Sequence, residues 1–244
     1  MELSVVIPVH NEEANIQPLV DEIVAALSGR LDYEIVYVDD GSSDGTAAAV
    51  RHAAAAAPVR LLRHDTACGQ STAVYSGVHA ARGALIATLD GDGQNDPADI
   101  PRLLDVVRAA TDDAPVALAI GHRQKRNDTF IRRMSSRIAN GVRSRLLRDE
   151  TPDTGCGLKV FSRSVFLELP YFDHMHRFMP ALVRRTGGCV VSVPVNHRPR
   201  ERGKSKYGIH NRLWVGIVDL FGVAWLQRRE RRPSRVSEEP FDGR

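Results

Sequence analysis

The sequence predicts an α/β protein built on a parallel sheet with helices on both faces. Three observations predict it. Short apolar runs alternate with helix-period segments as far as residue 120. A polar cluster follows three of those runs, at residues 8–12, 39–44 and 90–94, where ligands bind in such sheets. And 244 residues, 43% hydrophobic and 26% charged, suffice for one large domain with an appendage.

The elements follow in order. Leu3–Val9 reads as a buried strand with Pro8 near its end. Asn11 or Asn15 is placed to cap a helix through about Leu27, with Ile16, Leu19, Val20, Ile23, Val24 and Leu27 at helical spacing. Residues 33–38 form a second strand that runs into Asp39-Asp40-Gly41-Ser42-Ser43-Asp44-Gly45-Thr46, then an alanine-rich helix to Ala57. A third strand at 59–62, a helix at 69–81 and a strand around Leu85 come next. A helix near 98–110 has Pro97 at its start, a position that suits proline. A fifth strand spans 116–120, and a later helix leads to the strand Cys189–Val195.

The stretch Leu89-Asp90-Gly91-Asp92-Gly93-Gln94 lies at the carboxyl end of the fourth strand. Alternate extended side chains share a face, so Asp90 and Asp92 point the same way, and Gly91 lets a ligand approach. Neighbouring carboxylates repel unless a cation lies between them. Hard oxygen ligands favour Mg²⁺ or Mn²⁺. A plain turn before a proline is the competing reading. An EF-hand loop is excluded, because Asn95 holds its glycine position and Pro101 its glutamate position. No Gly-x-Gly-x-x-Gly opens a helix. Gly203-Lys204-Ser205 lacks the first glycine of a P-loop, since Arg198 stands there.

Charge is unevenly placed. Residues 1–100 carry about ten more acidic than basic side chains, whereas 121–148 and 200–235 are basic. Basic runs with apolar neighbours suit either a solvated face or an anionic membrane surface. Cys68, Cys156 and Cys189 have no metal-ligand spacing and read as buried thiols in a reducing compartment. The first residues start a strand rather than a signal peptide.

Val6-Ile7-Pro8-Val9-His10-Asn11-Glu12-Glu13, Val38-Asp39-Asp40-Gly41-Ser42-Ser43-Asp44-Gly45-Thr46 and Asp90-Gly91-Asp92 together resemble an inverting family-2 glycosyltransferase of GT-A fold. Asp90-Gly91-Asp92-Gly93-Gln94 is similar to the metal motif of dolichol-phosphate mannosyltransferases and related polyprenyl-phosphate glycosyltransferases. Asp153-Thr154-Gly155-Cys156-Gly157-Leu158-Lys159-Val160-Phe161-Ser162-Arg163 and Arg200-Glu201-Arg202-Gly203-Lys204-Ser205-Lys206-Tyr207-Gly208 resemble that subgroup too. The likeness covers about residues 3–228, and the Gln-x-x-Arg-Trp motif of processive synthases is absent.

The resemblance implies a mixed, mostly parallel sheet and transfer of a sugar from a nucleoside-diphosphate sugar to a polyprenyl phosphate. It implies that Pro8, His10, Glu12, Asp39 and Asp40 contact the nucleotide, although His10 stands where an aromatic residue is common. Asp90, Asp92 and Gln94 would hold Mg²⁺ or Mn²⁺. Arg123 and Arg133 would reach the phosphates, with Arg132 an alternative to Arg133. Arg200, Ser205 and Lys206 would meet the acceptor, together with Ser136 and Asp153. Asp92, Arg123, Arg133, Arg200 and Lys206 are the expected catalytic set.

The segment 121–148 interleaves arginines with Phe130, Ile131, Met134 and Ile138. It reads either as a surface amphipathic helix or as a phosphate clamp. Residues 213–226 span roughly 21 Å as a helix, short of a ~30 Å hydrocarbon core. Trp214 and Trp225 suit the headgroup region. A helix packed on the domain, or joining two copies, is the alternative. The expected organisation is a catalytic domain over 1–208, a membrane-interface helix over 209–230 and a disordered tail over 231–244, peripheral on the cytoplasmic face of the membrane. Rival functions are transfer to a hydroxyl of a glycan or lipid, and binding of a nucleotide sugar or nucleic acid. Scarce aromatics in the basic runs argue against nucleic acid.

Overall fold

The computed structural model describes residues 1–109, 116–123, 141, 143–200 and 210–229, with the backbone alone for 210–215. Seven strands form one sheet: β1 (Leu3–Val9), β2 (Tyr33–Asp40), β3 (Val59–His64), β4 (Leu85–Thr88), β5 (Val116–Arg123), β6 (Lys159–Ser162) and β7 (Cys189–Val195). Their order is β3-β2-β1-β4-β6-β5-β7. Pairing is parallel except where β6 runs antiparallel to β4 and β5. The sheet is therefore mixed and mostly parallel. β6 has no counterpart in the sequence alternation, being four residues long with a lysine among them.

The described helices are α1 (Glu13–Leu27), α2 (Thr46–Ala53), α3 (Gln70–Ala80), α4 (Ile100–Arg108), α5 (Arg163–Leu167), α6 (Met179–Arg185) and α7 (His210–Arg228). α1, α2 and α4 pack together on one face, while α3, α5 and α6 cover the other. The central strands are buried on both faces and are accordingly rich in Val and Ile: Val5, Val6, Ile7, Ile35 and Val36 are wholly buried. Each such side chain stabilises the fold by roughly 1.5–3 kcal/mol.

Three local expectations are corrected. Neither Asn11 nor Asn15 caps α1, because Asn11 adopts a left-handed φ of 53° and the cap is Glu12. The strained Asn11 instead ties two loops together: its N–H donates to Ser42 Oγ (2.8 Å), and its Oδ1 accepts from the Ser43 N–H (2.7 Å). Of the three cysteines only Cys156 is buried; Cys68 and Cys189 are exposed. The helix near 98–110 opens with a 3-10 turn at Pro97–Asp99, where Asp96 accepts from the Ala98 N–H.

Among the described residues no helix is long and apolar enough to cross a membrane. α7 nevertheless exposes Val218 (69%), Phe221 (64%) and Trp225 (57%), an apolar stripe not covered by the described residues.

Candidate active site

The parallel strands β1, β2 and β4 deliver their carboxyl ends to one edge of the sheet, with the N-terminus of α3 beside them. A cleft of about 430 Å³ opens there. Pro8, His10, Glu12, Asp40, Asp90, Asp92 and Arg200 line it together, as do Ala67, Gly69 and Gln70 from the loop after β3.

Asp39 and Asp40 point to opposite sides of β2, as extended neighbours must. Asp39 is wholly buried, receives the Ser42 N–H (2.9 Å) and lies 3.3 Å from Arg63. It braces the loop from behind. Asp40 lines the cleft and gathers the loop after β3: Oδ1 accepts from His64 Nδ1 (2.7 Å) and the Cys68 N–H (2.8 Å), and Oδ2 from the Gly69 N–H (2.7 Å). Asp40, His64 and Cys68 bring potential ligand atoms within 4.8 Å of one another. Hydrogen bonds to Asp40 account for that cluster. His10 is turned inward by its Nδ1, which donates to the Asp40 carbonyl (2.7 Å).

The acidic pair forms the floor. Asp90 accepts from Gln70 Nε2 (2.8 Å), and its backbone N–H donates to Asn95 Oδ1 (3.1 Å). Burial, then the charge of Asp92, pushes the Asp90 carboxyl above its ordinary range, while Lys159, Gln70 and Arg123 pull the other way. Two carboxylates that share one cleft, one raising the proton affinity of the other, favour a cation between them. Two features keep the floor open. A Cβ on Gly157 would overlap the Asp90 carboxylate, and one on Gly91 would overlap Val9. Gln94 lies beyond the turn at Gly93 (φ 74°), and its amide nitrogen faces the Arg198 carbonyl (3.4 Å). It does not line the cleft.

Arg200 spans the mouth: Nη2 meets Glu12 Oε1 (2.5 Å), and Nη1 lies 3.7 Å from Asp92 Oδ2. Arg123 is forked onto Asp153 at 2.6 and 2.7 Å, which raises its pKa further. The pair sits beside Gly155. Arg132, Arg133, Ser136, Ser205 and Lys206 lie outside the described residues.

Several lining residues escaped the sequence reading. Gln70 opens α3 after β3, and the rule that pointed to the other strand ends points there equally. Lys159 is 4% exposed in β6, a charge inside the apolar run Leu158–Phe161. Burial pushes its ammonium pKa down.

Comparison with known proteins fixes the family. The model of glycosyl transferase family 2 matches residues 4–169. The chain belongs to that family. It is thus a glycosyltransferase. It is 38% identical to the dodecaprenyl-phosphate galacturonate synthase of Rhizobium johnstonii, over 96% of the chain and 69% of that protein. It is also 38% identical to the undecaprenyl-phosphate 4-deoxy-4-formamido-L-arabinose transferase of Edwardsiella ictaluri, over 85% of the chain and 63% of that protein. The chain therefore spans about two thirds of these relatives. Glucosyl-3-phosphoglycerate synthase of Mycobacterium tuberculosis, solved with Mn²⁺ and UDP, shares the fold at TM-score 0.68 and 18% identity, covering 93% of the chain and 79% of its own. Mannosyl-3-phosphoglycerate synthase of Rubrobacter xylanophilus does so at 0.72 and 16%, covering 98% and 79%. The fold is GT-A.

Proposed function

We propose that this glycosyltransferase moves a sugar, with inversion, from a nucleoside-diphosphate sugar to a polyprenyl phosphate. The observation that carries the reading is the pairing of Asp90 and Asp92 on the floor of a cleft whose mouth Arg200 spans. Both relatives above are named for transfer to such lipid phosphates. The donor set is hard oxygen and fits Mg²⁺ or Mn²⁺ on Asp90 and Asp92, with Gln94 reaching it only by a rotation away from Arg198. Such an ion neutralises the leaving nucleoside diphosphate.

The chain's own residues then bind and orient. Pro8, His10 and Asp40 form the nucleotide wall, and Asp39 braces it. Arg200 offers a guanidinium toward phosphate oxygens. The acids lining the cleft argue for a phosphate acceptor over a hydroxyl. Glu12 is held by Arg200 and Asn15 (2.7 Å), Asp40 by the loop after β3, and Asp90 and Asp92 by the metal role. No carboxylate among them stands ready as a general base, which a hydroxyl needs and an ionised phosphate does not. Arg123 and Asp153, with Arg133, Ser136, Ser205 and Lys206, complete the acceptor side in this reading.

We place the domain, spanning 1–208, on the cytoplasmic face of a membrane, held by the 209–230 helix through Val218, Phe221 and Trp225. Joining of two copies through that helix is the alternative, and residues 231–244, expected to be a tail, lie outside the described residues. In the deciding experiment, nucleotide sugars are offered with a short-chain polyprenyl phosphate, and product mass and anomeric configuration are read. An inverted glycosyl phosphate is expected, lost on chelation of the metal, from a protein that sediments with anionic vesicles less in high salt. Transfer to a glycan hydroxyl with none to the lipid phosphate would overturn the reading.

Gly157→Ala tests the floor. The added methyl must displace the Asp90 carboxylate, so transfer is expected to fall about 100-fold. Mn²⁺ binding, followed by electron paramagnetic resonance, should weaken with it. Full activity in this variant would remove Asp90 from the metal.

A further inference from the structure

A recess of about 90 Å³ opens from the Asp90 side of the cleft, sharing Pro8, Gln70 and Asp90 with it. Thr88, Lys159, His176 and Arg177 line its remaining polar wall. A donor whose nucleoside fills the cleft and whose diphosphate meets Asp90 and Asp92 must set its sugar beside that pair. Another hollow adjoins Asp92 against α1, but Arg198 in it is forked onto Glu22 at 2.9 and 2.7 Å. Its cation and carboxylate already answer each other.

The charge of the recess selects the sugar. Among the described residues Asp90 is the one acidic side chain lining it, and the proposed metal role occupies that carboxylate. Lys159 and Arg177 oppose it. The Lys159 ammonium, almost wholly buried, donates to the Cys156 carbonyl. A buried ammonium is costly unless further acceptors or an anion meet it. The His176 ring is fixed by the Ser71 hydroxyl, 2.6 Å from Nδ1. A carboxylate suits this wall better than one more sugar hydroxyl, because charge-assisted hydrogen bonds are roughly twice as strong as neutral ones.

We infer, resting on the transfer reading above, that this recess is a sugar subsite for an acidic sugar, a nucleoside-diphosphate uronic acid whose carboxylate meets Arg177 and Lys159. Matched donors test it: UDP-galacturonate against UDP-galactose, UDP-glucuronate against UDP-glucose, and GDP-mannuronate against GDP-mannose. Each pair differs only by carboxylate or hydroxymethyl at one carbon. The wild-type protein is expected to favour the uronate of at least one pair. Arg177→Gln should lower that preference in kcat/KM roughly 10–100-fold, through loss of the uronate donor alone. Lys159→Met should act in the same direction, with melting temperature as the check on folding; if it fails to fold, Arg177→Gln decides. Calorimetry with Mn²⁺ and no acceptor reads the same preference as binding. A uronate preference in binding without transfer to polyprenyl phosphate would therefore sink the transfer reading and spare the subsite. Preference for the neutral sugar in every pair, no binding of any donor, or a ratio untouched by Arg177→Gln would overturn the subsite.

Discussion

Asp92→Asn is expected to reduce sugar transfer by about 1000-fold while leaving the fold unchanged, the upper range for loss of one electrostatic group. The fold should survive because Asp92 has few structural duties. Its Oδ1 accepts the Gln94 N–H (3.1 Å), which an asparagine oxygen can also do, and its Oδ2 lies 3.7 Å from Arg200. What asparagine lacks is charge. On the proposed metal role, the leaving nucleoside diphosphate would then lose much of its neutralisation, because a divalent ion would be held by one carboxylate instead of two. Melting temperature within about two degrees of wild type, with turnover near background at saturating Mg²⁺ or Mn²⁺, is the expected pair of measurements. Unchanged turnover would sink the metal assignment. Asp90→Asn makes a poorer test, because that carboxylate is buried beside Lys159 and its neutralisation disturbs packing as well.

Strands β1, β2 and β4 were legible because each is a short apolar run ending in a polar cluster, whereas the four-residue β6, with its lysine, carries no such pattern. That pattern by itself places residues 8–12, 39–44 and 90–94 on one edge. The helices of the first half were legible from periodicity to within a few residues. What sequence could not resolve was direction. Asp39 and Asp40 are chemically alike in a motif, yet strand alternation sends one into the brace and the other into the cleft. Gln94 shows the same limit, since the turn at Gly93 redirects it toward Arg198. Lys159, His176 and Arg177 join Asp90 only through the antiparallel insertion of β6 and the packing of the 3-10 turn Met175–Arg177 against α3, contacts far apart in sequence. The misplaced cysteines have a similar cause: Cys68 sits in the loop folded around Asp40, where its backbone N–H binds Asp40 and its exposed thiol bonds within the loop, to Thr66.

Arg200→Ala should cut transfer to a short-chain polyprenyl phosphate about 100–1000-fold, with donor binding changed only severalfold. The guanidinium is about one-fifth exposed, close to both Glu12 and Asp92, the proposed metal carboxylate. From there it can receive phosphate oxygens at the mouth of the cleft, stabilising charge as the sugar bond shifts. Two other roles predict different losses. As a structural partner of Glu12 alone, Arg200 would on removal leave a largely buried carboxylate with, among the described residues, no cation and only the Asn15 amide to meet it, so melting temperature and donor affinity would fall together. As a contact to lipid headgroups, its loss would weaken vesicle binding yet spare activity on a soluble acceptor in detergent. Separate kcat and KM values for donor and acceptor distinguish the three. Lys206, in the same Arg-x-x-Gly-x-Ser-Lys stretch but outside the described residues, is expected to behave like Arg200 in this assay. Normal kinetics for both alanine variants on the soluble acceptor would refute the clamp and return this stretch to the membrane surface.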